Sequence, residues 1–212
     1  MKLTKKTIQN VISGKSKVSN GDAIQAASNY LKANEETLQG LQGKEYKQQE
    51  AKLLKEYASN NNKLFKSPTN WKKLGEGAEQ EVFFHDNIYI IKINDSIFYS
   101  SWRDYFNNLL FHNYFFPDTC YELIGFVNTR EGVKCVVRQP FIDRSSETNL
   151  DEVKAFMSDN GFENTRNNDY YNPELELILE DLHEENVLTR DGILYFIDTV
   201  FYIKEPYIMP NK

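Results

Sequence analysis

Apolar residues recur along this chain at two different periods, and the change from one to the other divides it. Ile24, Ala27 and Leu31 fall at i, i+3 and i+7, the spacing that puts side chains on one face of a helix. They predict a helix from Ala23 to about Leu38 with Asn20 or Asp22 as its N-cap. A second, weaker stripe of Tyr46, Leu53, Leu54 and Tyr57 predicts a helix over 44–59. Beyond about residue 70 the pattern shortens to runs rich in β-branched and aromatic residues, which predict strands near 70–75, 81–85 and 88–93. A long apolar segment from about Phe98 to Phe116 reads as a helix, and strands follow near 122–128 and 133–138 around the turn Thr129–Gly132. Together these predict an α+β fold whose centre is a five-stranded antiparallel sheet with one helix. Further on, Thr148-Asn149-Leu150-Asp151 is a capping box for a helix to about Asp159, ended by Gly161. The polar stretch Glu163–Asn172 reads as a loop, and strands are predicted at Leu175–Leu179 and Ile193–Ile197.

Composition sharpens the division. Residues 1–66 hold 12 Lys against 6 Asp and Glu, and only four of the 29 aromatics. The rest carries the acidic excess that brings the whole chain to −6. With the Asn run and Pro68, this predicts a helical extension over 1–66 and a second domain over 67–212. The lysines of the extension are scattered, with no arginine or aromatic platform beside them, so nucleic acid is not an expected partner. No apolar run reaches signal-peptide or transmembrane length, and a cytoplasmic protein is expected. Cys120 and Cys135 read as buried thiols, and they form no zinc spacing with His85, His112 and His183. The pattern leaves the oligomeric state open.

Candidate chemistry lies in the second region. Asp181 and Asn186 in LEDLHEENVL stand in a D-x-x-x-x-N spacing, in which one loop can present a base and a metal ligand to a single nucleotide. Asp198 ends the apolar run Ile193–Ile197, delivered there by a strand. Upstream, Gly75 and Gly77 form a G-x-G turn where backbone N–H groups can approach phosphates without a Cβ in the way. Lys92 is the one lysine of the strand Ile88–Ile93, a candidate for the α- and β-phosphates.

The order of these parts, with HNYFFPDTCYELIGF (112–126), RQPFI (138–142), DLHEENVL (181–188) and FID (196–198), resembles the protein-kinase-like superfamily. It is most similar to the small serine/threonine/tyrosine-kinase-type domain of polyvalent proteins of bacterial mobile elements. The D-L-H-x-x-N form also resembles aminoglycoside and choline phosphotransferases. The resemblance implies a minimal kinase-like fold with a truncated second lobe, and ATP and Mg²⁺ as cofactors. It also implies roles: Asp181 on the acceptor hydroxyl, Asn186 and Asp198 on Mg²⁺, Lys92 on the nucleotide phosphates, and a hinge including Gln139 and Phe141 for adenine. The chain departs from the pattern at Gln80, in place of a third glycine, at Leu179, and at Thr199-Val200 after Asp198. The 98–116 helix contains no glutamate to pair with Lys92, and Asp104 is the one acid well inside it. Three readings follow: a kinase acting on a protein hydroxyl, a small-molecule kinase, and a silent nucleotide- or protein-binding module.

Overall fold

A computed structural model describes residues 3–65 and 71–204. The described residues form α1 (Lys5–Ile12), α2 (Gly21–Ala33), α3 (Gly43–Asn60), β1 (Leu64–Phe65), β2 (Lys72–Glu76), β3 (Gln80–Phe84), β4 (Tyr89–Asn94), α4 (Trp102–Phe115), β5 (Glu122–Asn128) and β6 (Val133–Pro140). They continue with α5 (Leu150–Asp159), β7 (Glu163–Arg166), β8 (Asp169–Asn172), β9 (Leu177–Glu180), β10 (Val187–Arg190), β11 (Ile193–Phe196) and β12 (Val200–Ile203). The chain divides into two compact units, one of residues 11–143 and one joining 1–10 to 144–212. The helices α2 and α3 therefore belong to the same unit as the large sheet. The predicted boundary at 66/67 falls within residues 66–70, outside the described residues.

The larger unit is built on one sheet of order β1-β5-β6-β4-β3-β2. It has six strands rather than the expected five, because β1 adds in parallel to β5, with Leu64 opposite Phe126 and Phe65 opposite Val127. Gly125 makes that pairing sterically feasible. A Cβ there would lie 2.3 Å from the Lys63 carbonyl oxygen and 2.4 Å from the Phe65 ring, and that carbonyl accepts the Phe126 N–H at 2.8 Å. One face of the sheet packs Phe83, Ile91, Ile93, Val127 and Val136 together, with Trp71 and Ile124 against them. On the other, α4 brings Phe106 edge-on to Phe126 at 6.5 Å and α3 brings Tyr57 edge-on to it at 6.3 Å.

Helix boundaries follow their local chemistry. α4 begins at Trp102, later than Phe98, because Ser101 caps it: its hydroxyl oxygen accepts the Asp104 N–H at 3.0 Å and its O–H donates to the Asp104 carboxylate at 2.7 Å. Asp104 is thus occupied at the cap. Asn20 does not cap α2 as expected; it lies in the left-handed region (φ 51°) without a side-chain cap bond, and its amide donates to the Cys120 sulfur at 3.2 Å. α2 stops at Ala33 and a 3₁₀ turn covers Glu35–Leu38.

In the smaller unit, α5 has the predicted span but a different cap. Asn149 accepts the Asp151 N–H at 3.0 Å, while the Thr148 hydroxyl donates instead to the Val187 carbonyl at 2.6 Å. The polar stretch 163–172 is a hairpin, β7–β8, not a loop. Its return strand DYYN alternates half-buried with buried and encloses Tyr170, a period-2 pattern that its polar composition conceals. The sheet order is β12-β9-β8-β7, and β10 and β11 form a separate pair. Both cysteines are free thiols: Cys135 is buried, with its pKa pushed up by that burial, and Cys120 is half-buried. No helix among the described residues is long and apolar enough to cross a membrane.

Candidate functional site

The smaller unit brings Asp181, Asn186 and Asp198 together through its strand pairing. β9 ends at Glu180, which pairs with Val200 on β12, so Asp181 follows one strand end just as Asp198 precedes the other. The Ile197 N–H donates to the Asn186 carbonyl at 2.9 Å, fixing Asn186 beside the residue that precedes Asp198. Asp181 occupies the left-handed region with φ 70°, a conformation that costs a side-chain-bearing residue energy and persists only where its surroundings hold it.

Two sets of contacts hold it. Within the loop, Asn186 Nδ2 donates to both the Asp181 carbonyl and its carboxylate Oδ2, each at 2.9 Å. His183 Nδ1 accepts the Glu185 N–H at 3.2 Å, and His183 Nε2 lies 3.3 Å from Asp181 Oδ1 and 3.2 Å from Asn186 Nδ2. With Nδ2 turned inward, the Oδ1 of Asn186 is the end of its amide left for a ligand. From outside the loop, the β7–β8 hairpin supplies two acceptors in succession. Asp169 Oδ1 accepts the Asp181 N–H and the Asn168 carbonyl accepts the Leu182 N–H, both at 3.1 Å. Asp169 is a member of the site that sequence reading missed. Neighbouring Glu180 has its pKa raised by burial and then by the Asp169 and Asp181 charges. Among the described residues no three His, Cys, Asp or Glu side chains are grouped to hold a metal by themselves.

The larger unit holds the other predicted residues. Gly75 lies in β2 opposite Val82, and Gly77 lies in the β2–β3 turn, closed by its N–H on the Gln80 carbonyl at 2.8 Å. A Cβ at Gly75 would meet nothing within 4 Å, and one at Gly77 only that carbonyl oxygen at 3.9 Å. Neither has a positive φ, so the described neighbours do not themselves demand glycine there. Lys92 lies opposite Val137 across the β4–β6 ladder, and Asn94 lies opposite Cys135. Cys135 in turn pairs with Phe126. Lys92 therefore shares the sheet face that α4 covers; it is 3% exposed, with Nζ 5.3 Å from the Tyr121 ring centroid.

Tyr121 is set by α4. Asn113 Oδ1 accepts the Tyr121 N–H and Asn113 Nδ2 donates to the Tyr121 carbonyl, both at 2.7 Å. The His112 ring lies 4.6 Å from the Tyr121 ring, and His112 Nε2 is 3.0 Å from the Thr119 carbonyl oxygen. At the expected hinge, the Gln139 side-chain amide donates to that same Thr119 carbonyl at 2.8 Å. The Phe141 N–H donates to the Ile88 carbonyl at 2.7 Å, so in this structure that N–H is engaged by the protein itself.

A family model described as "Serine/Threonine/Tyrosine Kinase found in polyvalent proteins" matches residues 47–205. The chain belongs to this family. No curated protein and no solved structure matches it. The kinase family's region takes in the glycine turn, Lys92, α4 and the whole Asp181–Asp198 segment. It begins inside α3, 20 residues before the boundary expected from composition.

Proposed function

We propose that the chain is an ATP- and Mg²⁺-dependent phosphotransferase that moves the γ-phosphoryl group of ATP to a hydroxyl on a protein. The observation that carries this reading is the Asp181–Asn186 loop. The Asn186 side-chain N–H groups are directed to Asp181 and His183 within the loop, so the amide oxygen is the end left to a ligand, beside the strand that delivers Asp198. One amide oxygen and one carboxylate suit Mg²⁺, which is commonly held by few protein ligands together with substrate phosphates. Asn186 and Asp198 would hold that ion, which supplies charge neutralisation on the phosphate oxygens. Asp181 would orient the acceptor hydroxyl and receive its proton. In the larger unit, Lys92 and the Gly75–Gly77 turn are assigned to the phosphates, and the backbone around Gln139 and Phe141 to adenine. The family description favours a serine, threonine or tyrosine acceptor, while the D-L-H-x-x-N form keeps a small-molecule hydroxyl as the alternative.

A second reading, a silent nucleotide- or protein-binding module, is favoured by the burial of Lys92 and by the engagement of the Phe141 N–H. Labelled-ATP transfer to a generic protein acceptor, beside a thermal-shift titration of Mg²⁺-ATP, separates the readings. Asp181→Asn is expected to abolish transfer and keep the nucleotide-dependent shift, whereas Asp198→Asn weakens the shift itself. Equal transfer by wild type and Asp181→Asn would refute the assignment. A shift without transfer to protein or small-molecule acceptors would favour the silent module.

A further inference from the structure

The kinase pattern expects a glutamate within α4, and none is there; instead α3 brings one to the end of that helix. Glu50 is completely buried, and its Oε2 accepts the Trp102 N–H, the first of α4, at 2.7 Å. Its Oε1 accepts no hydrogen bond from the described residues, and the nearby Arg103 N–H and guanidinium favour the charged form of the group. Ser101 takes the Asp104 N–H, so Glu50 and Ser101 between them satisfy two of the opening N–H groups that a helix leaves without intrahelical partners. A carboxylate is also the charge a helix N-terminus favours.

One turn earlier on α3, Lys47 Nζ donates to the Ser96 carbonyl and, at 2.7 Å, to the Tyr99 carbonyl. Ser96 is buried in the left-handed region at φ 58°, and its N–H is held by Asn94 Oδ1 at 2.6 Å. Thus α3 grips the β4–α4 connection at its carbonyls with an ammonium and holds the first amide of α4 with a carboxyl group. The far half of α4 carries Asn113 and His112, which fix Tyr121, and the Tyr121 ring lies against Lys92.

We propose that Glu50 is a positioning residue: by holding the N-terminus of α4 it sets Tyr121 and, through it, Lys92. The functional half of this inference rests on the phosphotransferase reading; the structural half does not. The device places outside α4 a carboxyl group that acts on the helix as a body.

The test is hydrogen exchange on the full chain for wild type, Glu50→Gln, Glu50→Asp and Glu50→Ala, with label transfer measured on the same samples. Glutamine keeps an acceptor in reach of the Trp102 N–H, whereas aspartate keeps the charge and falls short by one methylene. Expected is exchange about tenfold faster at residues 100–106 in the Ala and Asp variants, as loss of one hydrogen bond to a charged group implies. Amides of β3, β4 and α5 exchange no faster than in wild type, and the Gln variant exchanges no faster than wild type at residues 100–106. Transfer falls with the same ordering, through kcat rather than through the KM for the acceptor. Unchanged exchange at 100–106 in the Asp variant, or equal effects of Gln and Asp, would overturn the proposal. So would a uniform rise across residues 11–143. Should no variant, wild type included, transfer phosphate, the phosphotransferase reading fails, and the exchange pattern alone decides whether Glu50 positions α4.

Discussion

Glu50→Gln carries a stability prediction whose size and sign follow from the burial of one carboxyl group. Burial pushes the Glu50 pKa up from 4.5 to about 7, against the pull of the Trp102 N–H. The Asp104 carboxylate raises it further, while the Arg103 N–H and guanidinium lower it. Tyr46 and Lys47 on α3 and Glu35, which pairs with Arg103, complete the surrounding charges. A group whose folded pKa is raised stabilises fully below its unfolded pKa, and that contribution is lost as pH rises through the folded one. A rise from 4.5 to about 7 corresponds to roughly 3 kcal/mol at about 1.4 kcal/mol for each pH unit. Glutamine keeps the acceptor and cannot ionise. Urea unfolding followed by tryptophan fluorescence should therefore give similar stabilities for the two proteins near pH 4.5. The variant should gain between pH 4.5 and 7 and become more stable by up to roughly 3 kcal/mol at pH 8.5. A constant difference between wild type and variant across that range would refute the reasoning, because it would mean that Glu50 does not change protonation on unfolding.

Three further outcomes are expected. Asp169→Ala removes the acceptor for the Asp181 N–H and should lower label transfer about fivefold, the effect of roughly 1 kcal/mol of lost positioning. Asp169→Asn, which can still accept, should restore most of it, and steady-state kinetics that show both variants at wild-type rates would remove Asp169 from the site. Gly125→Ala forces a Cβ against the Lys63 carbonyl and the Phe65 ring, so it should destabilise the larger unit by about 1–3 kcal/mol in urea melts; an unchanged midpoint would refute the close approach. Phe106→Ala empties a fully buried place against Phe126 and should cost about 3–5 kcal/mol by the same measurement.

Much of the fold was legible because its signals are local. The β-branched and aromatic runs of β3 to β6 and the stripes of α2 and α3 place those elements within a few residues, since both signals reflect the local backbone. What escaped reading depends on partners distant in sequence. Leu64–Phe65 is too short to signal a strand and becomes one because Gly125 lets it approach. Thr148 has the right identity for a cap, but the Val187 carbonyl competes for its hydroxyl. The β7–β8 hairpin was hidden by its polar residues. In the candidate site, Asp181, Asn186 and Asp198 carried a spacing signal, and the structure sets each in a connection just off a strand end. Asp169 was not readable, because its role arises from a turn 12 residues away. Glu50 did leave a trace: it stands at i−3, i−4 and i−7 from Leu53, Leu54 and Tyr57, a charge within the apolar stripe of its own helix.

The two-residue strand β1 also bears on how this protein can be shortened. It lies along β5, whose Phe126 and Val127 are almost entirely buried. A version begun at residue 67 would lack both β1 and the Tyr57 ring, leaving β5 as an uncovered strand edge with apolar residues beside it. Such an edge is a template for pairing with a second chain, so the shortened protein would be expected to self-associate and precipitate. Preparations for biophysical work should keep α2, α3 and β1 with the sheet.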